Sequence, residues 1–336
     1  MKALKSMLLA GAAVFAAALP AQADTVITIG SWAPPTHGVN SVVLPSFASC
    51  VKDASKGKLT AKIEYPQIPP PDMMDSVRDG VIDMTWFFHG YNLGRYVATQ
   101  LVELPGLGVG SEAASIAYWR IHNKHLAKLD EHKGVMLISL MVHGAGVIQT
   151  KTPITKLADL KGMKIRVPGG IASAVGKELG VVGVNVPAPK VYETLSSGVA
   201  DGVFMPFETS KSFRLREVVK NFVIIPGGMY YGSFGYTFNP DKFKKMSKDE
   251  QAALMACSGE KLASAAGKMW DIADNSAMEE NKKLGLNVKI ADAEMTKEFA
   301  AIAKKVEDQY IAMVGNKFDA KTALAELRQV AKSLQK

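Results

Sequence analysis

Cysteine is nearly absent: Cys50 and Cys257 are the only two in 336 residues, which excludes a disulfide-stapled scaffold. Each falls at an apolar position of a helical stretch, so one bridge and two buried thiols are both compatible with the sequence. Catalytic signatures are equally scarce. No H-E-x-x-H, C-x-x-C or EF-hand loop occurs, and Tyr231-Gly232-Ser233-Phe234-Gly235 has Tyr where a nucleophile elbow needs its first Gly. The run GLGVG at 106–110 lacks the Lys-Ser/Thr of a phosphate loop and reads as a plain loop. His122 and His125, with His132 nearby, read as a solvated helix face rather than a zinc site. No catalytic residue, metal or cofactor is therefore expected. No basic tract is interleaved with aromatics, which argues against nucleic acid. Nor does any apolar run reach membrane-spanning length.

What is present begins with an address. Lys2 and Lys5 precede an uncharged apolar run at 7–19, and Ala21-Gln22-Ala23 is an A-x-A cleavage site. Residues 1–23 are expected to be a secretory signal peptide, and the mature protein to be periplasmic. About 313 residues remain, enough for two lobes. Without Lys2 and Lys5 the formal charge falls from +8 to +6, a balance suited to an anionic ligand or surface.

The chain is organised around 161–170, KGMKIRVPGG. Met163, Ile165 and Val167 alternate with Lys164 and Arg166 as in a strand, Pro168-Gly169-Gly170 stops it, and a helix over 171–179 follows. Arg166 thus stands near the carboxyl end of a strand, just before a helix start. In open α/β sheets ligands bind at that edge. Helix-start N–H groups favour anions, and an Arg fork holds a carboxylate through two hydrogen bonds.

Other strands are expected at 25–32, 59–65, 81–88, 135–141, 184–186, 199–206 and 235–239. Helices are expected at 42–55, 72–78, 111–128, 153–160, 189–197 and 209–220, and one long helix at 259–284. Residues 76–83 (SVRDGVID) echo 194–201 (TLSSGVAD): a helix end, a Gly stop, then a strand beginning hydrophobic-x-Asp. Two such units, 118 residues apart, suggest two lobes of like architecture. Aromatic and His residues gather at strand ends: Trp32 and His37; Trp86, Phe88, His89 and Tyr91; His143; Phe204, Met205 and Phe207. With Arg166 they describe a mostly apolar pocket with few polar anchors.

The segment PITKLADLKGMKIRVPGG (153–170), the run VYETLSSGVADG (191–202) and Gly80-Val81-Ile82-Asp83-Met84 resemble the DctP-type substrate-binding proteins of tripartite ATP-independent periplasmic (TRAP) transporters. The resemblance implies an α/β, two-lobe periplasmic-binding-protein-like fold with hinge strands and a long helix spanning both lobes. Lobe I would comprise 24–143 plus 232–271, and lobe II 144–231 plus 272–336. It also implies closure over an organic anion, TRAP membrane permease subunits as partners, a monomer, and a salt bridge from Arg166 to the ligand carboxylate. Two positions depart from the family. Many members carry a second Arg where this chain has Gly146, and Glu-Asn-Pro where it has Phe204-Met205-Pro206. Fewer polar anchors point to a monocarboxylate with an apolar or aromatic body, because a dicarboxylate or sugar acid would leave polar groups unpaired, at about 1–3 kcal/mol each. His143 or His89 is expected to supply a second polar contact. A periplasmic sensor or enzyme on the same scaffold is the alternative, with His143 as its catalytic group.

Overall fold

A computed structural model describes residues 25–335, and the expected signal peptide, 1–23, lies outside the described residues. Eleven strands occur among them: β1 (Thr25–Gly30), β2 (Leu59–Glu64), β3 (Met84–Phe88), β4 (Met136–Val142), β5 (Val147–Thr150), β6 (Lys164–Val167), β7 (Val182–Asn185), β8 (Gly202–Met205), β9 (Asn221–Ile224), β10 (Ser233–Phe238) and β11 (Asn287–Ile290). They form two sheets, ordered β2-β1-β3-β10-β4 and β11-β9-β5-β8-β6-β7. In the first, β10 runs antiparallel to β3 and β4. In the second, β5 runs antiparallel to β8 and β9. The remaining pairs are parallel, so helical crossovers cover the sheet faces.

The chain passes between the sheets at 143–146 and 225–232, and these two crossings are bonded side by side. His143 N donates to Gly232 O at 3.2 Å, and Gly146 N to Tyr230 O at 2.8 Å. They are the hinge. A third link is the 25-residue helix Gly259–Lys283. At its start Ser139 donates to the carbonyl of Gly259 at 2.7 Å, from the first lobe. Toward its end Asn281 donates to Ser210 and Glu280 pairs with Arg216, both in the second. One rigid rod therefore touches both lobes.

The internal echo is structural. Gly80 and Gly198 both adopt positive φ, 75° and 79°, a conformation that favours glycine. Asp83 then exchanges two bonds with Thr28: its N–H donates to Thr28 O at 3.0 Å and its carboxylate accepts from Thr28 N at 2.8 Å. Asp201 repeats both with Lys164, at 2.7 and 2.9 Å. Each Asp pins a parallel neighbour strand in register.

Several boundaries differ from expectation. Strands β5, β9 and β11 have four residues each, too short for a clear period-2 signal. The expected helix at 209–220 breaks after Ser212, because Arg214 takes a left-handed φ of 59°. The helix expected at 111–128 runs as an α-helix only over Ser111–Ile121 and has no side-chain cap of its own. Asp271 on the long helix accepts from Ser111 N at 2.6 Å and Glu112 N at 3.0 Å instead. Cys50 and Cys257 are bonded as a disulfide, joining the helix Leu44–Ala54 to the end of Lys248–Ala256. Of the C-terminal stretch expected in lobe II, the helix Ala293–Val314 packs on Gly170–Glu178 of that lobe. The helix Ala320–Leu334 instead packs against Ser111–Ile121 of the other lobe.

Candidate functional site

Arg166 occupies the third position of β6, between β7 and β8, and is 1% exposed. It is therefore a buried side chain and not a surface one. Its Nε donates to the carbonyl of Val186 at 2.9 Å, just past the end of β7, which fixes the plane of the guanidinium. Its Nη2 is buried and has no hydrogen-bond partner among the described residues. An unpaired buried charge costs several kcal/mol. That cost is tolerated only where something else compensates it, and an anion in the adjoining cavity would do so.

The helix start beside Arg166 is not available for that anion. Gly169 and Gly170 turn the chain with φ of 107° and 54° into the helix Gly170–Glu178. The N–H of Ile171 is already taken by Glu103 Oε2 at 3.0 Å. Glu103 Oε1 accepts from Ser233 N on β10 at 3.3 Å, so this buried carboxyl ties the two lobes together. Burial pushes its pKa up to about 7, against the lowering effect of the Ile171 and Ser233 N–H groups. The anion expected at the helix start is supplied by the protein itself.

In front of Arg166 lies a small cavity of about 30 Å³ between the lobes, so its lining packs nearly closed. Its walls are largely aromatic. Trp32 packs on Trp86 with ring centroids 4.4 Å apart and donates from Nε1 to the Trp86 carbonyl at 3.1 Å. Trp86 in turn donates to Ser31 Oγ at 2.8 Å and stacks on His37 at 5.4 Å. Phe234 of β10 and Trp270 of the long helix complete the first-lobe wall, and Met205, Phe213 and Tyr230 form the opposite one. Tyr91 joins the lobes: its hydroxyl accepts from Ala188 N at 2.8 Å. Burial raises its phenol pKa, opposed by the nearby Arg166 charge.

Eight of the eleven anticipated residues line this cavity: Trp32, His37, Trp86, Phe88, Tyr91, His143, Met205 and Arg166. His89, Phe204 and Phe207 do not. His89 is buried behind β3, where Nδ1 meets Ser233 Oγ and Nε2 meets His132 Nε2, both at 2.8 Å. Phe204 belongs to the core under the helix Gly170–Glu178, and Phe207 stacks on Phe222 at 5.4 Å. Successive strand residues point to opposite faces. Trp86 and Phe88 therefore share one face of β3 while Phe87 and His89 take the other, and on β8 Met205 faces the cavity while Phe204 faces away. That parity was readable in the sequence. Glu208, Tyr230 and Trp270 were not anticipated, since each reaches the cavity through tertiary packing rather than from a strand end.

The two departures from the family have physical counterparts. A side chain at Gly146 would collide with the ring of Tyr230, whose hydroxyl is anchored to the carbonyl of Phe204 at 2.9 Å. The phenol ring occupies the space that any side chain at position 146 would need. Met205 lines the cavity where an amide would have stood. His143 stands on the hinge with Nδ1 2.5 Å from the Gly144 carbonyl. Burial lowers its pKa to about 4, outweighing that carbonyl and the nearby Glu208 charge, so its ring is neutral at pH 7. His122 and His132 are buried rather than solvated. Among the described residues no group of three His, Cys, Asp or Glu side chains could hold a metal.

The chain as a whole has counterparts among known proteins. A TRAP periplasmic solute-binding protein from Bordetella bronchiseptica, solved with bound (R)- and (S)-mandelate, is 35% identical and superposes with a TM-score of 0.90 over 93% of this chain and 100% of its own. A TRAP solute-binding protein from Rhodoferax ferrireducens, in complex with copurified benzoate, is 25% identical with a TM-score of 0.86, over 92% of this chain and 98% of its own. The outer membrane transporter protein TsaT of Comamonas testosteroni is 25% identical over 89% of this chain and 90% of its own length. The match to DctP, bacterial extracellular solute-binding protein family 7, runs over residues 30–313. The chain belongs to that family.

Proposed function

We propose that this chain captures an aromatic monocarboxylate in the interlobe cavity and delivers it to TRAP permease subunits, acting in the periplasm as a monomer. The ligand's carboxylate pairs with Arg166, and its ring packs between Trp86, Phe234 and Met205. Lobes near the expected bounds, 24–143 plus 232–271 and 144–231 plus the helix Ala293–Val314, close over it. Ligand binding to the closed arrangement shifts the lobe equilibrium, and the permease reads that shape. The observation that carries this reading is the unpartnered Nη2 of a buried Arg166 at an aromatic wall. Two related receptors, bound to mandelate and to benzoate, support the ligand class. The enzyme alternative requires His143 to accept a proton, and a pKa near 4 makes it a weak base at pH 7.

Calorimetric titration of the refolded mature chain with benzoate, phenylacetate and mandelate tests the reading. One site per chain is expected, lost in Arg166→Ala. Undiminished affinity in that variant would remove Arg166 from the site.

A further inference from the structure

The cavity holds a second buried group that an aromatic carboxylate alone leaves unanswered. Glu208 follows β8 by three residues, is 5% exposed and lines the same cavity as Arg166. Its backbone is fixed at both ends: its N–H donates to Asp274 Oδ1 at 2.7 Å, and its carbonyl accepts from Lys211 N at 2.9 Å and Ser212 N at 3.0 Å. The side chain cannot easily be carried elsewhere. Yet Oε1 is buried without a hydrogen-bond partner among the described residues.

The nearest candidate donor is His37. Its Nδ1 accepts from Val39 N at 3.2 Å, so a neutral ring carries its proton on Nε2. That nitrogen stands 3.7 Å from Glu208 Oε1, outside the roughly 2.7–3.2 Å of a hydrogen bond. The two groups face each other across a gap. A carboxylate is an acceptor only. It can satisfy Arg166, but it has no proton to offer Glu208. Trp270 Nε1, on another lining residue, is a buried donor also without a partner, and its ring lies 5.3 Å from His37. The unmet groups of the lining thus include donors and an acceptor. A hydroxyl can both give and receive, whereas an ammonium only gives.

We propose that Glu208 is the specificity-determining acceptor for a hydroxyl on the ligand, so that the site selects hydroxylated aromatic monocarboxylates over their deoxy analogues. The inference rests on the carboxylate-receptor reading and sharpens it. Arg166 fixes the carboxylate end, the aromatic walls hold the ring, and Glu208 with His37 reads the substituent. A ligand lacking the hydroxyl buries Glu208 Oε1 unpaired and loses affinity for that reason.

The test compares three acids of nearly one shape, phenylacetate, mandelate and 3-hydroxyphenylacetate, by calorimetry on the mature chain and on Glu208→Leu. In the unmodified protein at least one hydroxy acid should bind about 10- to 100-fold more tightly than phenylacetate, the size expected for a hydrogen bond to a charged group. In Glu208→Leu the preference should vanish while phenylacetate binds at least as well as before. If Glu208→Leu does not fold, Glu208→Gln serves instead, with the preference reduced several-fold and phenylacetate affinity unchanged. Equal affinities in the unmodified protein would overturn the inference and leave the receptor reading standing, as would a preference that survives in Glu208→Leu. Failure of all three acids to bind would bring down the receptor reading, and this inference with it.

Discussion

Arg166 and His89 are each 1% exposed, and each stands at or just past the end of a strand. Their surroundings differ in one respect. Both ring nitrogens of His89 are occupied, by Ser233 and His132, and Ser233 is bonded onward to Tyr118 at 2.7 Å. Arg166 keeps one nitrogen without a partner. Buried polarity that is mutually satisfied specifies a fold, whereas a buried cation left open beside a cavity can be completed by a ligand. The comparison separates two regions that the sequence presents alike.

The largest effect should come from Arg166→Ala. Removing one partner of a desolvated charge pair costs about 2–5 kcal/mol, so carboxylate affinity should fall from about thirtyfold to several thousandfold in calorimetry. The ligand-free fold should persist. His89→Ala should do the reverse. It leaves His132 Nε2 without its partner, while Ser233 keeps its bond to Tyr118, and it opens a cavity, for about 2–4 kcal/mol of stability in chemical denaturation, with ligand affinity within twofold of the parent. A strong affinity loss there would erase the distinction between the two regions.

Gly146→Ala sharpens it further. The added methyl pushes on the Tyr230 ring, and overpacking of this kind costs about 1–3 kcal/mol. Because Tyr230 lines the cavity, both stability and affinity should fall together, measured by melting and titration on one preparation.

The smallest effect is a pH dependence of stability. His89, His122 and His143 have pKa values lowered by burial to about 3, 4 and 4. The unfolded chain binds protons at these residues below its ordinary value near 6.5, while the folded chain does not until about pH 4. Their contribution is complete above pH 6.5 and is lost as pH falls from 6.5 toward 4. Glu103, raised to about 7, acts oppositely: its contribution is lost as pH rises from the ordinary carboxyl range toward 7. Burial lowers His132 in the same sense and raises Asp274 as it does Glu103, so four histidines oppose two acids, and the melting temperature should be lower at about pH 4.5 than at pH 7. Glu103→Gln removes part of the opposing slope and should steepen the acid loss.

Much of this architecture was legible in the sequence because it rests on local signals. The Asp83 and Asp201 units, the strand at Arg166 with its Gly-Gly stop, and the helix Gly259–Lys283 each follow from periodicity and breakers over a few residues. The helix start read as an anion site failed for a tertiary reason: Glu103, more than sixty residues earlier, arrives from the other lobe to fill it. Glu208 and Trp270 were illegible for the same cause. An acidic residue after Pro206-Phe207 and a Trp on an amphipathic helix look like surface and core until the lobes meet. His89 was misplaced for a different reason, since strand parity alone would have set it on the face away from Trp86.

The most direct test of the account is thermal unfolding of Arg166→Met beside the unmodified mature chain, each with and without saturating mandelate. Mandelate at about 100 times its dissociation constant should stabilise the unmodified chain by about 2.7 kcal/mol, a rise of several degrees. Ligand-free Arg166→Met should melt no lower than the unmodified chain, because it removes an unpaired buried charge, and it should not respond to mandelate. A variant that melts well below the parent yet still shifts with mandelate would contradict the account, making Arg166 a structural residue and placing the anion elsewhere.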